Sequence, residues 1–437
     1  MDIKIINLLH RVSGIDIVKV FSLNALATFI RMLAGMISVK VVAVIIGPAG
    51  IALLGQLNNF SLILLGMANG GINSGITKYV AEYKNNDEKI KAYLSNALRI
   101  TLFCSFFVAL ILILFCKQLS QLILLTDEYY YVYIIFGFTL VFFTLNALLI
   151  SILNGYKQFK RYVKVNIFGT VAGLTYSVVL VTTCGLPGAM INAVTFQSIM
   201  FFVTLWMCRK MPWMKREYFF GKFDSLVVRQ YLGFSVMTLT TLALLPSCQM
   251  FLRGYVISEL SAADAGIWEG MNRISSMYLS VITTAFSIYY LPRMSEISDP
   301  KELQKELFKC YKIVIPMLLL FCVTIYLLRH FVLWLLFTPD FYQMEGLFGW
   351  QLAGDMIKMC SWMLSFLMVA KAKTTMFIST ELIFNATYLG ISFIFLQFNG
   401  VVGLTQGYLC NYIIYLLAMI FLYNRIIKVK KVWLNQD

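Results

Sequence analysis

Twelve long apolar runs recur along the 437 residues, near 20–46, 52–76, 93–116, 129–153, 163–183, 187–207, 231–256, 266–291, 313–336, 346–369, 375–396 and 401–423. Each approaches or exceeds the roughly 20 residues that an α-helix needs to cross a bilayer. The runs are continuously apolar and do not alternate over stretches of about ten residues, which favours helices over a transmembrane barrel. Breakers separate them: Gly47-Pro48-Ala49-Gly50, Asn154-Gly155, Gly185-Leu186-Pro187-Gly188, Asp299-Pro300 and Asn399-Gly400. The chain is 60% hydrophobic and 13% charged, too few charges to coat the soluble domains that this length would otherwise give. The expected class is an all-α polytopic membrane protein, and soluble enzymes and disordered chains are excluded.

Lysine and arginine orient the runs. Connections on the side of the N-terminus hold 28 of the 36 basic residues, the opposite side holds only Lys117 and Arg329, and six lie within runs. An error of one run would scramble this alternation, and by the positive-inside rule both termini are cytoplasmic. The net charge of +15 therefore reads as orientation and attraction to anionic lipid, with no nucleic-acid partner. The longest inner connection, between Cys208 and Gln230, carries six basic residues. It divides the chain into an N-terminal six-helix lobe (1–210), a basic cytoplasmic linker (211–230) and a C-terminal six-helix lobe (231–437), a layout typical of transporters. The outer connections are too short to hold a catalytic domain. Nine cysteines form no C-x-x-C, and only His10 and His330 could join them. No metal or other cofactor is expected, and no Walker A string is present.

Charges within a run cost several kcal/mol and normally face protein or a water-filled interior. The basic ones are Arg31, Lys40, Arg253, Arg273 and Lys358, with Arg99 near an edge, and the acidic ones are Glu269, Asp355 and Glu381. Glu269 and Arg273 are four apart and Asp355 and Lys358 three apart, spacings that place each pair on one helix face. An internal ion pair and a transport role fit these two pairs equally well. The remainder, Arg31, Lys40 and Arg253 against Glu381, makes the interior cationic. Arg31 and Lys40, nine positions apart, point to opposite faces of a helix, so Lys40 can snorkel to the interface and Arg31 and Arg253 are the preferred cavity cations. A cationic pocket suits phosphate or diphosphate, which arginine binds in bidentate fashion. Asn24, Gln56, Asn58, Asn59, Asn69, Asn73, Trp268, Asn272, Tyr278, Trp350, Gln351 and Trp362 accompany the charges. Each singly has a structural use; their concentration in runs 1, 2, 8 and 10 points to a polar lumen fit for sugars.

Several strings resemble the Wzx-type flippases for lipid-linked oligosaccharides. They are Gly47-Pro48-Ala49-Gly50, Gly71-Ile72-Asn73-Ser74-Gly75-Ile76-Thr77-Lys78-Tyr79-Val80, Gly266-Ile267-Trp268-Glu269-Gly270 and Phe286-Ser287-Ile288-Tyr289-Tyr290-Leu291-Pro292. Trp350-Gln351-Leu352-Ala353-Gly354-Asp355 with Lys358, and Ala370-Lys371-Ala372, complete the set. The likeness runs from about Arg31 to the twelfth run and favours members that serve enterobacterial common antigen.

The resemblance implies a fold of the multidrug/oligosaccharidyl-lipid/polysaccharide (MOP) exporter superfamily, MATE-like, with twelve helices in two lobes around a central cavity. It implies an undecaprenyl-diphosphate-linked oligosaccharide as cargo, carrying the common-antigen unit or an O-antigen-like one. The cargo would move by alternating access from the cytoplasmic to the periplasmic leaflet of the inner membrane. Membrane lipid and the polymerase and chain-length regulator of the same glycan pathway are the implied partners, and the protein acts as a monomer. The family's first-run basic residues fall on Arg31 and Lys40, and its eighth-run acid and tenth-run acid/base pair fall on Glu269, Asp355 and Lys358. The expected substrate-binding set is then Arg31, Lys40, Asn58, Arg253, Trp268, Arg273 and Lys358. Glu269, Asp355 and Glu381 are candidates for proton coupling, and a structural salt bridge explains each equally well. The alternative on the same scaffold is a proton- or sodium-coupled multidrug or small-molecule exporter, which would want a net acidic lumen.

Overall fold

The structure, a computed structural model, describes residues 3–286, 290–297, 299–371 and 373–427. Side chains are described between Ala27 and Tyr423, except those of 159–160, 237, 285 and 291–292. Lys4, His10, Arg11, Lys19 and Asn24 therefore lie outside the described side chains, as do Ser287-Ile288-Tyr289, Ala372, Arg425, Lys428, Lys430 and Lys431.

The described residues form helices in unbroken succession: α1 (Ile3–Ala68), α2 (Asn73–Tyr83), α3 (Asp87–Leu114), α4 (Cys116–Leu124), α5 (Tyr130–Gly155), α6 (Phe159–Cys208) and α7 (Arg216–Phe219). Then come α8 (Ser225–Glu259), α9 (Ala262–Ala285), α10 (Leu291–Glu296), α11 (Pro300–Leu327), α12 (Arg329–Leu336), a 3-10 turn at Pro339–Met344, α13 (Glu345–Ala370) and α14 (Thr374–Ile427). Eight of these helices are long and apolar enough to cross a membrane. Three of the eight break once, in α1 at Gly47 (φ 63), in α6 at Gly185 (φ 62) and in α14 at Gly400 (φ 56), so each carries two of the apolar runs. The remaining run is α9, where Asp264, Glu269 and Arg273 dilute the apolar stretch. In their described residues, all twelve runs read from the sequence are thus predominantly helical. Two runs are interrupted: the helix of the second, expected to reach residue 76, stops at Ala68, because Gly70 and Gly71 adopt left-handed φ of 63° and 67° before α2 begins, and the ninth is divided at Leu328 between α11 and α12.

At two breaks the chain doubles back. A Cβ on Gly188 would stand 1.9 Å from the Leu180 carbonyl oxygen. The Tyr176 and Thr195 hydroxyls, 19 positions apart, lie 3.1 Å from each other, where a straight helix would separate them by about 28 Å. Similarly, Gly403 abuts the Phe395 carbonyl and the Thr387 hydroxyl donates to Asn411 Oδ1 at 2.8 Å. Pro48 and Pro187 follow their breaks closely, where a missing N–H costs the next helix nothing. A Cβ at Gly185 or Gly400 meets nothing within 4 Å, so alanine there costs backbone strain alone. Gly185→Ala and Gly400→Ala are each expected to destabilise by about 1–3 kcal/mol, read as a lowered unfolding midpoint in detergent.

The chain forms two compact units: Met1–Ile45 with Phe60–Leu242, and Ile46–Asn59 with Ala243–Asp437. In the first, Ile72, Ile76, Val80, Leu94 and Ile152 build a core that also takes in Trp213 and Tyr218 from the connection after α6. That basic connection docks on α3: the Tyr218 hydroxyl donates to Asp87 at 3.1 Å, Lys91 pairs with Glu217 at 3.1 Å, and Arg99 donates to the Gly221 carbonyl. Burial and the Asp87 carboxylate raise the Tyr218 pKa above the ordinary tyrosine value. Elsewhere large apolar side chains point outward, Phe103 at 76% and Phe106 at 68% exposure among them, the surface that a hydrocarbon solvent requires.

Candidate functional site

A cavity of about 530 Å³ lies within the first unit. One face of the first half of α1 supplies Arg31, Ala34, Gly35 and Ser38, at the helical spacing i, i+3, i+4, i+7. From α5 comes Asn146; from the first half of α6 come Tyr162, Asn166, Thr170 and Ser177; from its returning half come Asn192 and Gln197. Small side chains make the room: a Cβ on Gly173 would press within 2.7 Å of the Phe196 ring, and one on Gly169 would face Met200 at 3.3 Å. The wall is cross-linked by Asn146 Nδ2 donating to Gln197 Oε1 at 2.9 Å and by Asn166 Nδ2 donating to the Tyr162 carbonyl at 2.9 Å. Arg31 is exposed at the cavity and has no ion-pair partner among the described residues. Lys40 is half-buried and does not line this cavity, as its nine-residue offset from Arg31 requires.

The second unit treats its charges differently. Arg253 on α8 is 1% exposed. Its guanidinium donates to Glu269 Oε2 at 2.5 Å and to Gln56 Oε1 at 3.1 Å, and stacks over the Trp268 ring with its carbon 5.6 Å from the centroid. Glu269 also accepts from Arg273 Nε at 3.2 Å, so one carboxylate serves two guanidiniums. Gln56 donates to the Met250 carbonyl at 3.1 Å and Asn59 to Gln249 at 3.2 Å, fastening the second half of α1 to α8. The structure thus pairs Glu269 with Arg273 as the four-residue spacing indicates. It corrects the expectation for Arg253, whose charge is enclosed by protein partners instead of facing a cavity. Trp268, at 1% exposure, packs into the same enclosure, while Asn58 is exposed.

Asp355 and Lys358 also depart from expectation. No ion pair joins them among the described residues. Asp355, fully buried, accepts from the Tyr278 hydroxyl, from the Tyr408 hydroxyl at 2.7 Å and from Gln351 at 3.5 Å. Lys358 instead sits over three rings, 4.8 Å from the centroid of Trp362, 5.5 Å from Tyr412 and 5.6 Å from Tyr408. Three-residue spacing brings the pair onto one face of α13, but tyrosines from α9 and α14 take the carboxylate and the ring faces take the ammonium. Glu381 is half-buried and accepts from the Tyr415 hydroxyl at 3.1 Å. Just beyond α13, Lys371 donates to the Ile297 carbonyl, and burial lowers its pKa below the ordinary lysine value.

Glu269, Asp355 and Glu381 in the second unit are thus each engaged by protein donors, whereas Arg31 in the first unit, with no ion-pair partner among the described residues, stands beside amides and hydroxyls in open space. Asn146, Asn166, Asn192 and Gln197 were not singled out by the sequence reading. The signal for Asn166 was present in the polar and small stripe Asn166, Thr170, Gly173 and Ser177, at i, i+4, i+7 and i+11 on an otherwise apolar helix.

The fold, helical throughout the described residues with eight helices long and apolar enough to cross a membrane, is that of solved MATE transporters. A solved inward-facing multidrug resistance MATE family transporter of the MOP superfamily superposes with a TM-score of 0.77 at 14% identity, covering 93% of this chain and 99% of that one. Residues 17–298 match the family described as "Polysaccharide biosynthesis protein", and the chain belongs to that family. It is 27% identical over 392 residues to the lipid III flippases of Escherichia coli (strain K12) and of Shigella flexneri, covering 90% of this chain and 94% of each relative.

Proposed function

We propose that this protein is a flippase that carries a polyprenyl-diphosphate-linked oligosaccharide across the inner membrane, from the cytoplasmic to the periplasmic leaflet. Both termini are cytoplasmic in this reading. Two six-helix lobes, 1–210 and 231–437 joined by the basic segment 211–230, expose the cargo to each side in turn. The cargo is the common-antigen lipid or an O-antigen-like unit. Similarity to proteins named lipid III flippases along nine-tenths of the chain supports the class. The observation that carries the reading is the Arg31 cavity: a guanidinium with no ion-pair partner among the described residues, set among amides and hydroxyls in an apolar body. Guanidinium matches the diphosphate by paired charge-assisted hydrogen bonds, and the amides and hydroxyls match the edges of a sugar. Moving such a lipid breaks no covalent bond, so the protein needs a site and two accessible states, with no nucleophile.

The exporter alternative requires an acidic pocket for a cationic drug. Glu269 is shared by two arginines and Asp355 is capped by two tyrosines, which favours the glycan lipid. The test is export in a strain lacking its own flippase and expressing this chain. Arg31→Ala is expected to cut surface glycan at least about tenfold, the value of a lost charge-assisted contact of some 1.5–3 kcal/mol, at unchanged membrane protein level, with Arg31→Lys intermediate. Wild-type export by Arg31→Ala removes the headgroup assignment. Resistance to lipophilic cations in place of glycan export would overturn the flippase reading itself.

A further inference from the structure

We infer that the Arg31 cavity contains a sugar subsite, formed by Asn146 and Asn192, that reads a hydrogen-bond donor on the residue adjoining the diphosphate. The inference rests on the flippase reading and adds a specificity element to it. Asn146 is 2% exposed, and its amide nitrogen is committed to Gln197. That bond leaves its Oδ1 as a buried acceptor with no donor among the described residues, and the Oδ1 of Asn192 is in the same condition. Both side chains line the cavity that Arg31 lines, one from α5 and one from the returning half of α6. A buried acceptor left without a donor is destabilising, so two of them on one cavity wall mark a place where a ligand completes the bonding.

The chemistry of the ligand follows from the polarity of the wall. An ionised diphosphate has only acceptor oxygens and cannot satisfy a carbonyl oxygen; it belongs to the guanidinium of Arg31. A sugar hydroxyl or an acetamido N–H is a donor and can satisfy Asn146 and Asn192. Cation and acceptors in one chamber therefore fit the junction of the lipid-linked glycan, with the phosphates on one side and the first pyranose on the other. Both oxygens are occluded by the wall, which must adjust for a sugar to reach them.

The experiment measures binding to the purified full-length chain in lipid nanodiscs. Three probes are compared: a polyprenyl diphosphate, the same lipid carrying one glucose, and the same lipid carrying one N-acetylglucosamine. Wild type is expected to hold at least one sugar-bearing lipid about tenfold more tightly than the bare diphosphate, the contribution of one or two satisfied hydrogen bonds. Asn146→Leu and Asn192→Leu should erase that advantage and leave bare-diphosphate affinity unchanged, while Asn192→Ser, which keeps an acceptor oxygen, should retain most of it. Preference for N-acetylglucosamine over glucose assigns the donor to the amide N–H and equal affinity assigns it to a hydroxyl; both support the subsite. Equal binding of all three probes by wild type, or an equal loss on all three in the Leu variants, overturns it. Arg31→Ala separates the two assignments. Unchanged bare-diphosphate binding in that variant removes the headgroup role but leaves the sugar subsite standing on the asparagine variants. Binding of none of the probes by wild type fails the flippase reading instead.

Discussion

Glu269→Gln is expected to destabilise the second unit by about 3–5 kcal/mol, the range for breaking a buried ion pair from one side. Arg253→Met should cost only about 1–3 kcal/mol. The asymmetry comes from how the charges are shared. Glu269 accepts from Arg253 at 2.5 Å and from Arg273 at 3.2 Å. Removing its charge leaves two guanidiniums facing each other, one of them 1% exposed. Removing Arg253 leaves Glu269 still paired with Arg273, and methionine fills the space beside Trp268. The main loss is then the donor to Gln56 Oε1. The double variant is expected to recover part of the Glu269→Gln loss, because the buried unpaired cation is gone. Unfolding midpoints of the three variants in one detergent give the order. If Arg253→Met proves as harmful as Glu269→Gln, or the double variant falls below both, the shared-carboxylate account fails.

The same cluster shows what a sequence discloses and what it withholds. The span layout was legible because hydropathy over some twenty residues is a local property, and the breaks were legible because glycine with a nearby proline punctuates the chain at Gly47 and Gly185, and glycine after asparagine at Gly400. Glu269 with Arg273 was legible because four residues make one helical turn. Arg253 was not, since its partners Glu269 and Gln56 stand on other helices and pairing across helices leaves no periodic trace. Asp355 and Lys358 misled for a related reason. Their spacing is that of an ion pair, but Tyr278 from α9 and Tyr408 and Tyr412 from α14 compete for both charges, and all three are distant in sequence. Arg31 stood out as an arginine in an apolar run. The amides opposite it did not, because a lone asparagine in such a run serves equally well to bind helices together.

Gly266→Ala is expected to be the most damaging glycine substitution in the family string Gly266-Ile267-Trp268-Glu269-Gly270. A Cβ there would stand 1.8 Å from the Pro48 carbonyl oxygen and 2.3 Å from its carbon. Both are backbone atoms at the break in α1, so no rotamer change relieves the overlap, and α9 must move away from that turn. About 3 kcal/mol or more is the expected cost, at the upper end for overpacking. Gly270→Ala, one turn on, provides the control. Its Cβ would meet the flexible end of Met344 at 2.5 Å and the Phe337 ring at 3.1 Å, and rotation of the methionine should hold the cost near 1 kcal/mol, the low end for an added methylene. Gly55→Ala should fall between them. Its Cβ would press on the Glu269 carboxyl carbon at 2.7 Å, and that side chain can yield only by giving up Arg253 or Arg273. The predicted order, Gly266 worst and Gly270 mildest, is read from the yield of monodisperse protein and its unfolding midpoint. Wild-type stability of Gly266→Ala would show that α1 and α9 are not held together at Pro48. A Gly55→Ala loss that persists when Glu269 is already glutamine would show that the carboxylate's pairing is not what the methyl disturbs.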